Sequence, residues 1–229
     1  RYGVLMQADL NDNTNLWSLL GWYDPVWNEI REMGRGEAFI DIGANAGLFS
    51  LVAGRQVGPE GIVLAFEPQK PLFAKLVNNA QRNELNNVYC FNLALSDTTK
   101  RVGMSNVDAC HTGVASIQET SENLPDIAWA VSASSDLLVV KEMLEGRCTT
   151  IKIDVEGHEL QVLKGIAWLL ETGIVKKIII EIDAQNLLRF GSRVDEIYAR
   201  MDRHGFTPKY GSVSKHHYDE VFVRKNNPA

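Results

Sequence analysis

The sequence predicts an α/β fold built on a mostly parallel sheet. From Glu37 onward, short β-rich runs alternate with helical periods, the pattern of successive crossover units. The first of those runs ends in a glycine turn, Asp41-Ile42-Gly43-Ala44-Asn45-Ala46-Gly47, that opens a helix at Leu48. A later run, Ile178-Ile179-Ile180, is continuously apolar, as a strand covered on both faces must be.

The elements follow in order. Residues 1–35 carry Trp17, Leu20, Trp22 and Trp27 and read as an N-terminal helical segment. It either packs an apolar face on the main body or forms a substrate-side lid over a pocket. The main domain is expected to run from 36 to 229, because 229 residues at about 150 per domain make one large unit with a short appendage. Strands are predicted near 38–41, 62–66, 88–91, 150–153 and 177–181. Leu160, Leu163, Ala167 and Leu170 recur at helical spacing and predict one helix lying on the sheet after the fourth strand. Residues 205–210 and 220–224 read as two strands joined by a hairpin-like connection. The stretch from 98 to 122, rich in Ser, Thr, Asn and Gly, breaks the alternation and reads as a substrate-side insertion.

Composition excludes several classes. With 23 Lys and Arg against 29 acids the formal charge is −6, so there is no basic excess to displace phosphate counterions and no nucleic-acid partner is expected. The cysteines, Cys90, Cys110 and Cys148, are odd in number and form no C-x-x-C pair. Neither a disulfide framework nor a zinc site follows, and a reducing, cytoplasmic location does. No apolar run reaches the length of a membrane span. The chain opens on Arg1 rather than methionine, as a segment trimmed from a longer product would, so a targeting sequence ahead of it stays open.

Three strand ends carry the chemistry. The glycines at 43 and 47 let backbone approach a ligand, and the helix behind them offers free N–H groups. Their spacing is not the G-x-G-x-x-G dinucleotide pattern, and Asp41 at the strand end disfavours a pyrophosphate while suiting the amino group of S-adenosylmethionine. Phe66-Glu67-Pro68 closes the next strand with an acid 20 residues after Gly47, where α/β nucleotide folds set a carboxylate on ribose hydroxyls. The fourth strand ends in Asp154-Val155-Glu156-Gly157-His158-Glu159, at the switch in strand order where open sheets bind ligands. Here Asp154 and Glu156 read as functional. His158 reads as a solvent-facing residue, Glu159 as a helix cap, and Lys152 as an ionic partner for Asp154 or Glu181.

Taken in order, Gly21-Trp22-Tyr23-Asp24-Pro25, the Asp41–Gly47 turn, Phe66-Glu67-Pro68, Asn92-Leu93-Ala94-Leu95-Ser96-Asp97, the Ile153–Glu159 segment and Glu181 resemble the FkbM-type S-adenosylmethionine-dependent methyltransferases. The resemblance implies a class I, Rossmann-like methyltransferase fold. Its seven-stranded, mostly parallel sheet has one antiparallel strand near the C-terminus and helices on both faces. It also implies O-methylation of a hydroxyl on a sugar, glycoconjugate or natural product, so the expected partner is a small-molecule or glycan acceptor. By position, it assigns cofactor contacts to Asp41, Gly43, Ala44, Asn45 and Gly47, the ribose to Glu67 beside Pro68, and the adenine wall to Leu93 and Ala94. Asp24 stands where the family usually has Glu.

Asp154 or Glu156 is expected to take or share the acceptor proton. No metal is expected to be required, since Lys152 shares a strand face with Asp154; the competing reading makes Asp154, Glu181 and Asp183 ligands of Mg²⁺. Two other classes stay open: an NAD-type oxidoreductase on a Rossmann sheet, and a nucleotide-binding module without catalysis. Neither the acceptor nor the oligomeric state is legible.

Overall fold

The computed structural model describes residues 3–7, 24–104, 117–118, 127–132, 138–211 and 216–225. In chain order α1 (Asp24–Arg31), β1 (Ala38–Ile42), α2 (Leu48–Val57), β2 (Ile62–Phe66), α3 (Lys70–Arg82) and β3 (Val88–Phe91) form the first half. Four short strands follow: β4 (Ala94–Ser96), β5 (Lys100–Met104), β6 (Ile117–Gln118) and β7 (Ile127–Ser132). The second half contains α4 (Leu138–Leu144), β8 (Thr149–Ile153), α5 (Glu159–Gly165), α6 (Ala167–Glu171), β9 (Val175–Asp183), α7 (Ala184–Arg189), α8 (Val194–Arg203), β10 (Phe206–Pro208) and β11 (His217–Arg224).

The main sheet has seven strands in the order β10-β11-β9-β8-β1-β2-β3. Strands β9, β8, β1, β2 and β3 are mutually parallel, and β11 runs antiparallel to both β9 and β10. Side chains alternate between the two faces. Ile40, Ile42, Leu64, Phe66, Ile151, Ile153, Ile178 and Ile180 pack on one side with Val162 and Leu163 of α5, Leu169 and Leu170 of α6, and Ile197 and Met201 of α8. Phe39, Val63, Ile179 and Val221 pack on the other with Val26, Trp27 and Ile30 of α1 and Ala53 and Val57 of α2. Each large apolar side chain taken fully out of water contributes about 1.5–3 kcal/mol, which is why strands buried on both faces read as unbroken apolar runs.

Helix α1 is also held by charge. Glu29, fully buried, accepts from Lys177 Nζ at 2.5 Å and from Lys209 Nζ. Of the residues singled out in the first segment, Trp27 lies on this helix, while Trp17, Leu20 and Trp22 lie outside the described residues.

One expectation needs correction. The helix after β8 is two short helices, α5 and α6, divided at Ile166. At Gly165 a Cβ would stand 1.8 Å from the Ser96 carbonyl oxygen, so α5 crosses β4 at a distance only glycine allows. Within the stretch from 98 to 122, β5 and β6 join a second sheet of order β4-β7-β5-β6. The motif from His111 to Ser116 lies outside the described residues, as does Cys110. Among the described residues no helix is long and apolar enough to cross a membrane.

Candidate active site

At the carboxyl ends of β1, β2 and β8 the backbone stitches three strands together. Gly43 N and Ala44 N both donate to the Phe66 carbonyl at 3.0 Å, and Asp154 N donates to Ile42 O at 3.0 Å. Gly43 has φ 85°, and a Cβ there would lie 1.8 Å from the Asp154 carbonyl oxygen. Gly47 has φ 95°, and its Cβ would meet Leu76 Cδ1 at 2.5 Å. Both glycines therefore serve close passages of the protein's own chain, which places the turn against β8 and α3.

Glu67 bonds to the same turn. Its Oε2 accepts from Asn45 N at 2.9 Å and its Oε1 from Gln69 N at 2.8 Å. Burial pushes its carboxyl up to about 7, against the pull of those two amides. Asp41 is fully buried beneath the turn. Ser50 Oγ donates to its Oδ2 at 2.5 Å, and its Oδ1 has no hydrogen-bond partner among the described residues. Burial raises the Asp41 carboxyl above its ordinary range, with Lys152 opposing. A buried acceptor left unpaired is costly, so Asp41 Oδ1 fits a ligand's cationic donor, such as the ammonium group of a methionine moiety.

On the neighbouring strands the side chains are crowded with charge. Lys152 lies beside Asp41 in the parallel register and donates to Asp154 Oδ2 at 2.7 Å, with its ammonium 4.8 Å from the Phe49 ring centroid. Burial alone would lower the Lys152 pKa, but Asp154 and Asp41 hold it above the usual lysine range. For Asp154, burial pushes upward and Lys152 prevails, leaving the carboxyl below its ordinary range. Carboxylate oxygens of Asp154, Glu156 and Glu181 all lie within 4.8 Å of one another. Like charges this close cannot all ionise. Burial, then Asp154 and further acids, carry Glu156 up to about 8 and Glu181 well above the carboxylate range.

Glu156 has φ 55°, a left-handed conformation uncommon outside glycine. Asn186 Nδ2 donates to its Oε2 at 2.8 Å, and a Cβ on the next residue, Gly157, would lie 2.5 Å from the Asn186 carbonyl. Asp219 faces Glu181 across the β9–β11 register, and burial carries it up to about 6. His217 Nε2 lies 2.9 Å from Glu181 Oε1 at the rim. Among the described residues, the end of the sheet thus offers a buried, hydrogen-bonded cradle over β1 and β2 and an acid-lined basin over β8, β9 and β11.

The FkbM methyltransferase domain matches residues 41–208, well over half the chain and the ends of β1, β2, β8 and β9 just described. The chain belongs to the FkbM methyltransferase family. The methyl donor of this family is S-adenosylmethionine, and the match sets aside the dinucleotide oxidoreductase reading. Methyltransferase 1 of Beauveria bassiana is 30% identical over 148 residues, which cover 56% of this chain and 57% of that protein. Hexuronic acid methyltransferase AglP of Haloferax volcanii is 28% identical over 167 residues, covering 72% of this chain and 64% of that protein. This chain spans about six-tenths of the length of these curated relatives. A crystal structure described as a candidate rRNA-methylase from Clostridium thermocellum superposes with a TM-score of 0.51 at 8% identity, covering 88% of this chain and 96% of that one. At that identity the likeness is one of fold.

Within this FkbM chain the residues picked out by sequence separate into groups. Asp41, Gly43, Asn45, Gly47 and Glu67 converge at one turn. Ala44 packs beneath it with Ala65 and Leu76. Pro68 stands beside it, its carbonyl accepting from Asn92 Nδ2 at 3.0 Å, while the same amide reaches Glu67 O at 2.9 Å. Leu93 packs against the main core, and Ala94 against Val102, Met104 and Ala130 of the second sheet.

Asp154 and Glu156 converge with Glu181. Asp183 does not, because its Oδ1 caps α7 by accepting from Gln185 N at 2.8 Å and Asn186 N at 2.9 Å. Glu159, expected to cap the next helix, stands at its first position and braces the preceding turn instead, its Oε1 accepting from Gly157 N at 3.0 Å. His158, expected to face solvent, is buried, with Nε2 3.0 Å from Ser96 Oγ and its ring edge-on to Phe190. It fastens the Glu156–Gly157 turn to the second sheet. Sequence reasoning missed Asn186, His217 and Asp219, whose places depend on α7 and on the antiparallel register of β11.

Proposed function

We propose that this chain transfers the methyl group of S-adenosylmethionine to a hydroxyl oxygen of a sugar, glycoconjugate or natural-product acceptor. The observation that carries this reading is the juxtaposition of two unlike groups of side chains at one switch point. One holds Asp41 Oδ1 and Glu67 beside the glycine turn, and the other gathers Asp154, Glu156 and Glu181. When bound, S-adenosylmethionine supplies an electrophilic methyl on a sulfonium, which needs no metal to be transferable.

The chain's own residues do the rest. Asp41 Oδ1 accepts from the ammonium group of the donor, and Glu67 uses the lone pairs left by Asn45 N and Gln69 N for the ribose hydroxyls. Leu93 and Ala94 close the adenine side. Glu156 serves as the proton acceptor for the substrate hydroxyl. A carboxyl near 8 is basic enough to draw that proton and still ionised in part at neutral pH. Asp154, kept anionic by Lys152, orients the hydroxyl, and Asn186 holds Glu156 in place. The basin is acidic, so it favours a neutral, hydroxyl-rich acceptor over an anionic one unless the anion points outward. The relative named for hexuronic acid makes sugars the first acceptors to try.

Calorimetry with S-adenosylhomocysteine and NAD tests the cofactor. Ligand at a hundred times its dissociation constant stabilises by about 2.7 kcal/mol, so binding of the first and not the second is expected, and the reverse overturns the reading. A screen of neutral and uronic-acid glycans with labelled methyl donor then tests the acceptor. Label on an alkali-stable methyl ether is expected, and label on nitrogen or carbon refutes O-methylation.

A further inference from the structure

Residues 3–7 form an extended strap along α3, and two asparagines one helical turn apart receive it. Asn83 Oδ1 accepts from Leu5 N at 2.8 Å while its Nδ2 donates to Leu5 O at 2.7 Å, so one amide reads one residue's backbone as a neighbouring strand would. Asn79 Oδ1 accepts from Gln7 N at 2.9 Å. The fit is geometric. Two residues of extended chain rise about 6.6 Å and four residues of helix about 6 Å, so Leu5 and Gln7, on one side of the strap, meet Asn83 and Asn79, on one face of the helix. The strap runs from Asn83 toward Asn79, in the direction of the glycine turn.

Asn79 is fully buried and its other amide atom is committed to that turn, Nδ2 donating to Ala46 O at 2.9 Å. Ala46 lies between two residues of positive φ, Asn45 at 52° and Gly47 at 95°. The Ala46 carbonyl therefore reports the orientation of a peptide that has few other restraints, the nearest being Gly47 N to Ala44 O at 2.9 Å. One planar amide thus joins the strap's backbone to the turn's backbone.

We propose that Asn79 is a positioning residue for the cofactor turn, through which the strap at residues 3–7 strengthens S-adenosylmethionine binding. The proposal rests on the reading that this turn holds the cofactor. Linkage makes it reciprocal: whatever the strap adds to cofactor affinity, the cofactor adds to strap closure.

The test uses the whole chain and S-adenosylhomocysteine. Gln7→Pro removes the N–H that Asn79 accepts, and Asn83→Ala releases Leu5; neither residue touches the turn. Each should weaken binding about 3- to 10-fold, the range for loss of a single hydrogen bond. Gln7→Pro added to Asn79→Ala should bind no more weakly than Asn79→Ala alone. Ligand should slow hydrogen exchange at the Gln7 amide by a factor matching the affinity lost in Gln7→Pro. If Asn79→Ala does not fold, the two strap variants and the exchange measurement decide the matter. Wild-type affinity in both strap variants, with Gln7 exchange indifferent to ligand, overturns the proposal while the cofactor reading stands. A lower unfolding temperature without a change in affinity overturns it equally. A wild-type protein that binds no S-adenosylhomocysteine overturns both.

Discussion

The two halves of the sheet's carboxyl edge are built by opposite means. Over β1 and β2, the shape is set by backbone: glycines that cannot carry a Cβ, two amides on Glu67 and two on the Phe66 carbonyl. Over β8, β9 and β11 the site is set by side-chain charge: one lysine among Asp154, Glu156, Glu181 and Asp219, with Asn186 and His217 at the margin. A donor of constant structure suits a rigid cradle, whereas a hydroxyl that must lose a proton needs groups able to change protonation near neutral pH. The first half should therefore be brittle toward volume, and the second toward charge.

The sharpest way to break that contrast is to neutralise the basin without changing its shape. Glu156→Gln and Asp154→Asn should lower single-turnover methyl transfer by roughly 10²–10⁴, the former more, with affinity for S-adenosylhomocysteine nearly kept. Transfer at the wild-type rate in both variants would make these acids structural.

The contrast also fixes a sign for stability. Glu67, Glu159 and Glu156 are raised, chiefly by burial, from 4.5 to about 7, about 7 and about 8. In that window the folded state binds more protons than the unfolded one, so stability falls as pH rises. Asp154 acts oppositely, but with its folded value lowered from 3.8 its stabilisation is lost only on acidification and stays constant above about pH 5. Urea unfolding of the ligand-free protein should show stability falling steadily between pH 5 and pH 8, and Glu156→Gln should flatten the upper part of the slope. A stability that climbs through this range contradicts the assignment of Glu67 and Glu156 as proton-holding groups.

A smaller effect tests the cradle. Glu67→Ala removes a charged acceptor that the turn and the ribose are proposed to share, at a cost of about 1.5–3 kcal/mol. S-adenosylhomocysteine should bind roughly tenfold more weakly or worse, with the fold kept. Unchanged affinity in a folded variant would show that Glu67 only braces Asn45.

How much of this was legible in the sequence follows from the range of the interactions. Asp41, the glycine turn, Glu67 and Asp154 are readable because each sits at the end of an apolar run, and a strand end is a local feature. The strands themselves are readable for the same reason, Ile62–Phe66 and Val88–Phe91 to the residue. His158 was misjudged because its burial comes from Ser96 and Phe190, far along the chain in either direction. Asp219 meets Glu181 only through antiparallel register, and Asn79 and Asn186 look like ordinary helix polar residues until something packs on them. The second sheet escaped notice because strands of two to six residues are too short for a period to show.

The last and smallest effect expected is that of a metal, which should be none. The trio of Asp154, Glu156 and Glu181, with oxygens within 4.8 Å of one another, has the spacing of an oxygen site, so the question is one of charge. Lys152 already donates to Asp154 at 2.7 Å. Burial and the neighbouring acids hold Glu181 well above the carboxylate range and carry Glu156 up to about 8. The trio therefore resists full ionisation, and the charge on Asp154 already has a buried partner. A dication would have to displace Lys152 or compete with protons on the raised acids, and hard cations such as Mg²⁺ give up water reluctantly. Exhaustive EDTA treatment should leave methyl transfer unchanged, and Mg²⁺ or Mn²⁺ titrated into the S-adenosylhomocysteine complex at pH 7 should release no binding heat. Activity lost to EDTA and recovered by Mg²⁺ alone would reverse the argument, making Asp154, Glu156 and Glu181 the ligands and Lys152 the residue that gives way.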